Sequence, residues 1–329
     1  MKMSNQLINE QKTLMLLALL FIGASSSSAS QTDSVQSCDA KVTIEKQGVT
    51  VPLRQGGKKH RYLDVNINGT IFNAVVDTGG MGIGGLISET SLSSLEINNQ
   101  SLVSMTANGA HGASGAKRLN IAKTSIGDAS VENLMFMTTA NPVIPEDSSP
   151  VLIGSRFLCQ FLVMFDFSKN TLSFHDRSTK VNKITKESEQ WHSYPFENFY
   201  NTGGIIFEMK LNGKKVKAAL DTGSPFTGIN WKAANLAGID KNSHKLRKYQ
   251  VAAHSLNATE PTIVNETDFV LSLINNQLAR NDTKVRINDN HAFKQIFANK
   301  PGIILGLPFF EQRKIIIDYA NSRLYISEA

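Results

Sequence analysis

The chain has little of what usually announces a covalent or metal-built framework. Its 329 residues include two cysteines, Cys38 and Cys159, too few to staple a small scaffold. In an oxidising compartment they form at most one bridge, and otherwise they are buried thiols. No His-Glu-x-x-His run or comparable histidine cluster offers a hydrolytic metal site. No Gly-x-Ser-x-Gly elbow presents a nucleophilic serine. The formal charge of +6 is partly carried by the first residues and by Lys58, Lys59, His60 and Arg61. Without a basic stripe interleaved with aromatics, it does not point to nucleic acid. Apolar runs are short, and no stretch reaches the roughly 20 residues that a membrane helix needs.

What is present begins at the N-terminus. Met1 to Lys12 is polar with Lys2 and Lys12, Leu14 to Ile22 is unbroken apolar sequence, and Gly23 to Ser30 is a string of small residues. This order predicts a secretory signal over residues 1–30, cut near Ala29 or Ser30, and an exported protein, periplasmic or secreted. The Asn-x-Ser/Thr triplets at Asn68, Asn99, Asn257, Asn265 and Asn281 matter only where the host glycosylates. With 41% hydrophobic residues, the remainder can bury one large core or two medium ones.

The chain repeats itself once. Tyr62-Leu-Asp-Val-Asn-Ile-Asn-Gly followed by Phe72-Asn-Ala-Val-Val-Asp-Thr-Gly is answered by Ile205-Ile-Phe-Glu-Met-Lys-Leu-Asn-Gly and Val216-Lys-Ala-Ala-Leu-Asp-Thr-Gly. Each copy reads as a strand, an Asn-Gly turn and a second strand ending on Asp-Thr-Gly. Later, Val151-Leu-Ile-Gly is answered by Ile303-Ile-Leu-Gly, with an alternating strand after each. The aspartates are 144 residues apart and the glycines Gly154 and Gly306 are 152 apart, so one duplicated lobe accounts for both. The expected organisation is an extension or short prosegment over 31–59, a lobe over 60–176, a linker over 177–195 and a second lobe over 196–329. The fold class is all-β with a few short helices, including one around Phe157 and one around Phe309. Lys58 and Lys59, closing the extension, are candidates to pair with the aspartates before activation, or form a solvated basic linker.

Two carboxylates held close together cannot both ionise, so one serves as base toward a water and the other as proton donor. Asp-Thr-Gly suits that work. Asp77 and Asp221 supply carboxyls at strand ends, Thr78 and Thr222 offer hydroxyls, and Gly79 and Gly223 let backbone N–H groups approach. Apolar Val75, Val76, Ala219 and Leu220 bury the strands beneath.

On these residues, and on Ile153-Gly154 and Leu305-Gly306, residues 60–329 resemble the aspartic peptidase superfamily of pepsin and the retroviral-type peptidases. The resemblance implies a bilobal β-barrel fold, a peptide or protein substrate extended between the lobes, no cofactor or metal, and a monomer, since both lobes share one chain. It gives Thr78 and Thr222 an interlocking role and makes Gly154 and Gly306 braces beneath the catalytic loops. It also calls for a flap. The glycine-rich segment Ser104 to Lys117, with Gly109, His111 and Gly112, is the candidate, though it has no tyrosine and so sits closer to the retroviral type. A second flap is expected near Val251 to Glu260, with His254. The pattern departs from the family at Gly80, where a hydroxyl or Ala is usual, whereas the second copy has Ser224. A Ser224 hydroxyl bonded to Asp221 would favour ionised Asp221 and leave Asp77 as the proton carrier.

Two other functions compete. A peptide-binding protein of this fold, weak or inactive as a catalyst, is compatible with Gly80 and the missing flap aromatic. A dinucleotide-binding oxidoreductase is suggested by Gly80, Gly82 and Gly85 with a helix over Leu86 to Leu95, but no acidic ribose partner follows and the second Asp-Thr-Gly is left unused.

Overall fold

The computed structural model describes residues 13–15, 38–45, 48–56, 60–95, 102–109, 112–140, 151–254, 262–275 and 277–328. The fold is all-β, as expected. The first repeat opens with strands Arg61–Ile67 and Thr70–Val76, paired antiparallel with Tyr62 opposite Val75. The second opens with Gly204–Leu211 and Lys214–Leu220, with Ile206 opposite Ala219. The turns between them are Asn68-Gly69 and Asn212-Gly213, all four residues at positive φ, the geometry for which Asn-Gly is selected in tight hairpins.

Each aspartate-bearing strand then takes a parallel neighbour from much later in the chain. Thr70–Val76 lies beside Val151–Ile153, and Lys214–Leu220 beside Gly302–Leu305. On the far side of these neighbours run Gly85–Ser88 and Thr227–Ile229, antiparallel to them. Both sheets curl until distant strands meet: Arg61–Ile67 pairs with Gly112–Ile126, and Gly204–Leu211 with Thr262–Leu273. The residues behind the aspartates, Val75, Val76, Ala219 and Leu220, are buried. The short helices fall where expected, Ser155–Leu158 as α and Leu307–Phe310 as 3-10.

The lobes share a six-stranded antiparallel sheet ordered Trp191–Pro195, Arg323–Ser327, Lys314–Asp318, Phe161–Asp166, Thr171–Asp176 and Val49–Pro52. At its centre Met164 faces Ile316, and the pairing is symmetric about that point. The rings of Phe157, Phe161 and Phe174 pack mutually at 5.3–5.7 Å.

The two edge strands of this sheet lie outside the lobes read from sequence. Val49–Pro52 belongs to the expected extension and Trp191–Pro195 to the expected linker, so each repeat begins earlier than its apolar hairpin. Cys38 is bonded to Cys159 in a disulfide, with Cα atoms 5.5 Å apart, which ties the extension to the helix Ser155–Leu158. The described part of the extension is thus woven into the fold, while Lys58 and Lys59 lie outside the described residues. Among the described residues no helix is long and apolar enough to cross a membrane.

Candidate active site

Both aspartates sit where their strands leave the sheet. The last sheet-like bonds are Asp77 N–H to Ile153 O at 2.9 Å and Asp221 N–H to Leu305 O at 3.0 Å. Beyond them the two threonines lock the lobes together. Thr78 Oγ1 donates to Leu220 O at 2.8 Å and accepts from Thr222 N–H at 3.0 Å. Thr222 Oγ1 donates to Val76 O at 2.9 Å and accepts from Thr78 N–H at 3.1 Å. Four buried backbone groups are satisfied by two hydroxyls, and both carboxyls are brought to one point.

The dyad is enclosed, with Asp77 1% and Asp221 2% exposed. Gly79 N–H donates to Asp77 Oδ1 at 2.6 Å, while Asp221 Oδ1 has no hydrogen-bond partner among the described residues. Burial pushes the Asp77 carboxyl up to about 6, and bonds from Asp221 and from the amides of Gly79, Gly223 and Gly80 hold it down. Asp221 is driven well above the carboxylate range by burial first, then by the Asp77 charge. Burial thus raises both carboxyls, and so close a pair holds one proton between them.

The preference for ionised Asp221 expected from Ser224 loses its basis. The Ser224 hydroxyl donates to Phe226 O at 2.7 Å rather than to Asp221, so it shapes the loop and leaves the carboxyl alone. Gly80 also has a steric reason to lack a side chain. A Cβ there would lie 2.9 Å from Leu152 Cδ2 and 3.2 Å from Gly154 Cα.

Gly154 and Gly306 lie where the braces were expected. Gly154 N–H bonds Gly84 O at 2.9 Å and Ser155 N–H bonds Gly80 O at 2.9 Å. A Cβ on Gly154 would strike Gly80 O and Ile83 O, both at 2.6 Å. In the second lobe Gly306 N–H bonds Thr227 Oγ1 at 3.2 Å, Leu307 N–H bonds Ser224 O at 2.9 Å, and a Cβ on Gly306 would fall 2.1 Å from Phe226 O. Glycines 80 to 85 are thus packing residues. Gly85–Ser88 is a strand, followed by an α turn at Glu89–Leu92 and a 3-10 turn at Ser93–Leu95, so a strand stands between the glycines and the helical turns and the strand–turn–helix setting of a dinucleotide site is missing.

The flap candidate is a hairpin of Val103–Gly109 against Gly112–Ile126, closing on Gly109 opposite Gly112. His111 lies outside the described residues. Arg247–His254 pairs with Thr262–Leu273 at the corresponding place in the second lobe, and residues 255–261, most of the expected second flap, lie outside the description. Sequence reasoning missed Met81. Its side chain crosses to the other lobe and packs with Ile206, Phe293 and Ile304; a Met after a glycine run carries no pattern that would reveal this.

Compared with known proteins, residues 63–157 match the family model described as aspartyl protease. No curated protein matches the chain. Among solved structures the chain is similar to a retropepsin-like aspartic protease from Rickettsia conorii, with 15% identity over 41% of this chain and 93% of that one and a TM-score of 0.30. The family match spans Asp77, its threonine and the Gly154 brace; with the same arrangement repeated at Asp221, it supports the aspartic peptidase family for this chain.

Proposed function

We propose that the protein is an aspartic endopeptidase that hydrolyses peptide bonds with a water activated between Asp77 and Asp221. The observation that carries this reading is the pair of carboxyls brought to one point by the threonine lock and enclosed there, both raised by burial. Asp77 takes a proton from the water as it attacks the carbonyl carbon, and Asp221 gives its proton to the carbonyl oxygen. The resulting diol collapses as the amine leaves with a proton returned through the dyad. The glycine-rich hairpin over Val103–Ile126 is the element able to fold over an extended peptide.

The reading extends to location. Residues 1–30 have the order of an export signal, and the Cys38–Cys159 bridge suits an oxidising compartment. Peptide-library cleavage between pH 3 and 8, with Asp77→Asn and Asp221→Asn as controls, tests the mechanism. Each substitution is expected to cut turnover by about a thousandfold, and activity surviving either one rules the dyad out. Peptide binding without cleavage by the unaltered protein would favour a binding module.

A further inference from the structure

The two catalytic loops are backed by different donors. In the first, Met81 N–H bonds Gly79 O at 2.8 Å. The N–H of that same peptide group belongs to Gly80, which bonds Asp77 O at 3.2 Å and, as a donor beside the carboxyl, favours ionised Asp77. The second loop cannot copy this. Pro225 stands four residues after Asp221, where Met81 stands after Asp77, and proline has no N–H.

The donor comes instead from the opposite lobe. His60, 1% exposed, places Nδ1 3.2 Å from Gly223 O, with the Tyr62 ring edge-on at 6.2 Å between centroids. A carbonyl oxygen only accepts, so Nδ1 carries the hydrogen. The N–H of the Gly223–Ser224 peptide group is that of Ser224; it bonds Asp221 O at 3.3 Å and, as a donor beside the carboxyl, favours ionised Asp221. Hydrogen bonds in series through one peptide group polarise each other, so a donor on the oxygen strengthens the bond made by the nitrogen.

The exchange is reciprocal. Tyr62 pairs with Val75 as Ile206 pairs with Ala219, so the repeat-mate of His60 is Gly204. There a Cβ would fall 2.4 Å from Met81 Sδ. One lobe has an amide and a side chain at Met81 facing an empty glycine. The other has a proline without an amide and an imidazole on the Gly223 carbonyl.

We infer that His60 is a positioning residue for the second aspartate, its Nδ1–H replacing the amide that Pro225 lacks and acting on Asp221 through the Gly223–Ser224 peptide. By favouring ionised Asp221 it keeps the shared proton from being held too tightly to be donated. The inference rests on the dyad reading, but its test does not require turnover.

The test is a titration of the folded protein, carrying ¹³C-labelled aspartate carboxyls, as wild type, His60→Asn, His60→Gln and His60→Leu. Asn places an amide nitrogen close to the Nδ1 position, and Gln places one close to Nε2. The Asp221 resonance is expected to titrate about one unit higher in His60→Leu and His60→Gln, with His60→Asn close to wild type, because only Asn restores the donor. Where peptide is cleaved, kcat should fall several-fold in the first two with KM little changed. An unmoved Asp221 titration in folded His60→Leu overturns the inference. So does a His60→Asn shift as large as that of His60→Gln, a comparison that decides the matter if His60→Leu does not fold. Failure of the wild type to cleave peptides would sink the peptidase reading and leave this titration to stand by itself.

Discussion

Gly223 lies against the Asp77 carboxyl so closely that a Cβ on it would stand 2.5 Å from Cγ and 2.7 Å from Oδ1. The second Asp-Thr-Gly therefore shapes the first aspartate as well as its own. In Gly223→Ala the Asp77 carboxyl must move off its bonds with Gly79 and Asp221. Peptide cleavage is expected to drop by a hundredfold or more, on the order of the loss when a reacting group is displaced by about 1 Å. Steady-state kinetics beside a melting curve checks this; a variant that melts lower yet keeps its kcat would refute it.

The threonine lock invites an isosteric probe. Thr222→Val keeps the shape but removes a hydroxyl that serves Val76 O and Thr78 N–H. Two buried backbone groups lose their partner, at about 1–3 kcal/mol each. Chemical denaturation should report a loss of about 2–6 kcal/mol, and Thr78→Val a similar one, since its bonds mirror these.

The Asp77 carboxyl makes stability and activity run in opposite directions with pH. Its folded value of about 6 lies above the unfolded one, so the native state holds its proton more tightly. The stability this contributes is fully present below about pH 4 and is lost as pH rises through 6, a difference of about 3 kcal/mol for a two-unit shift. Catalysis needs Asp77 ionised, so kcat/KM should rise along an acidic limb near pH 6. Urea titrations and pH–rate profiles measure the two, and Asp77→Asn should flatten the stability trend.

The disulfide joins residues 121 apart in sequence. Opening it by Cys38→Ser with Cys159→Ser frees a loop whose closure is worth about 4–5 kcal/mol on chain-entropy grounds. Thermal melts with and without a dithiol reductant should show a lowered transition in the double variant and in the reduced wild type. Equal melting of oxidised and reduced protein would show the bridge to be inert.

Much of this site was legible in the sequence because duplication marks it. Asp77 and Asp221, their threonines and the bracing glycines recur in order, and the Asn-Gly turns sit at the hairpin tips with the dihedral angles they favour. What could not be read depends on contacts between distant segments. Ser224 was expected to serve Asp221, but a hydroxyl's choice between a carboxyl and the nearby Phe226 O is set by loop geometry. Gly80 departs from the family pattern for a steric reason, since Leu152 packs against it. The edge strands Val49–Pro52 and Trp191–Pro195 carry too little alternation to be recognised, and they are held by pairing with strands more than a hundred residues away.

Met81 and Gly204 finally bear on how the duplication can be undone. A symmetric dimer assembled from two copies of the first lobe would set Met81 of each copy against His60 of the other, where the present chain offers a bare glycine. Two copies of the second lobe would leave Pro225 facing Gly204, with neither an amide nor an imidazole for the Gly223 carbonyl. The halves have become a lock and its key, and neither half by itself carries the complement that its own loop needs.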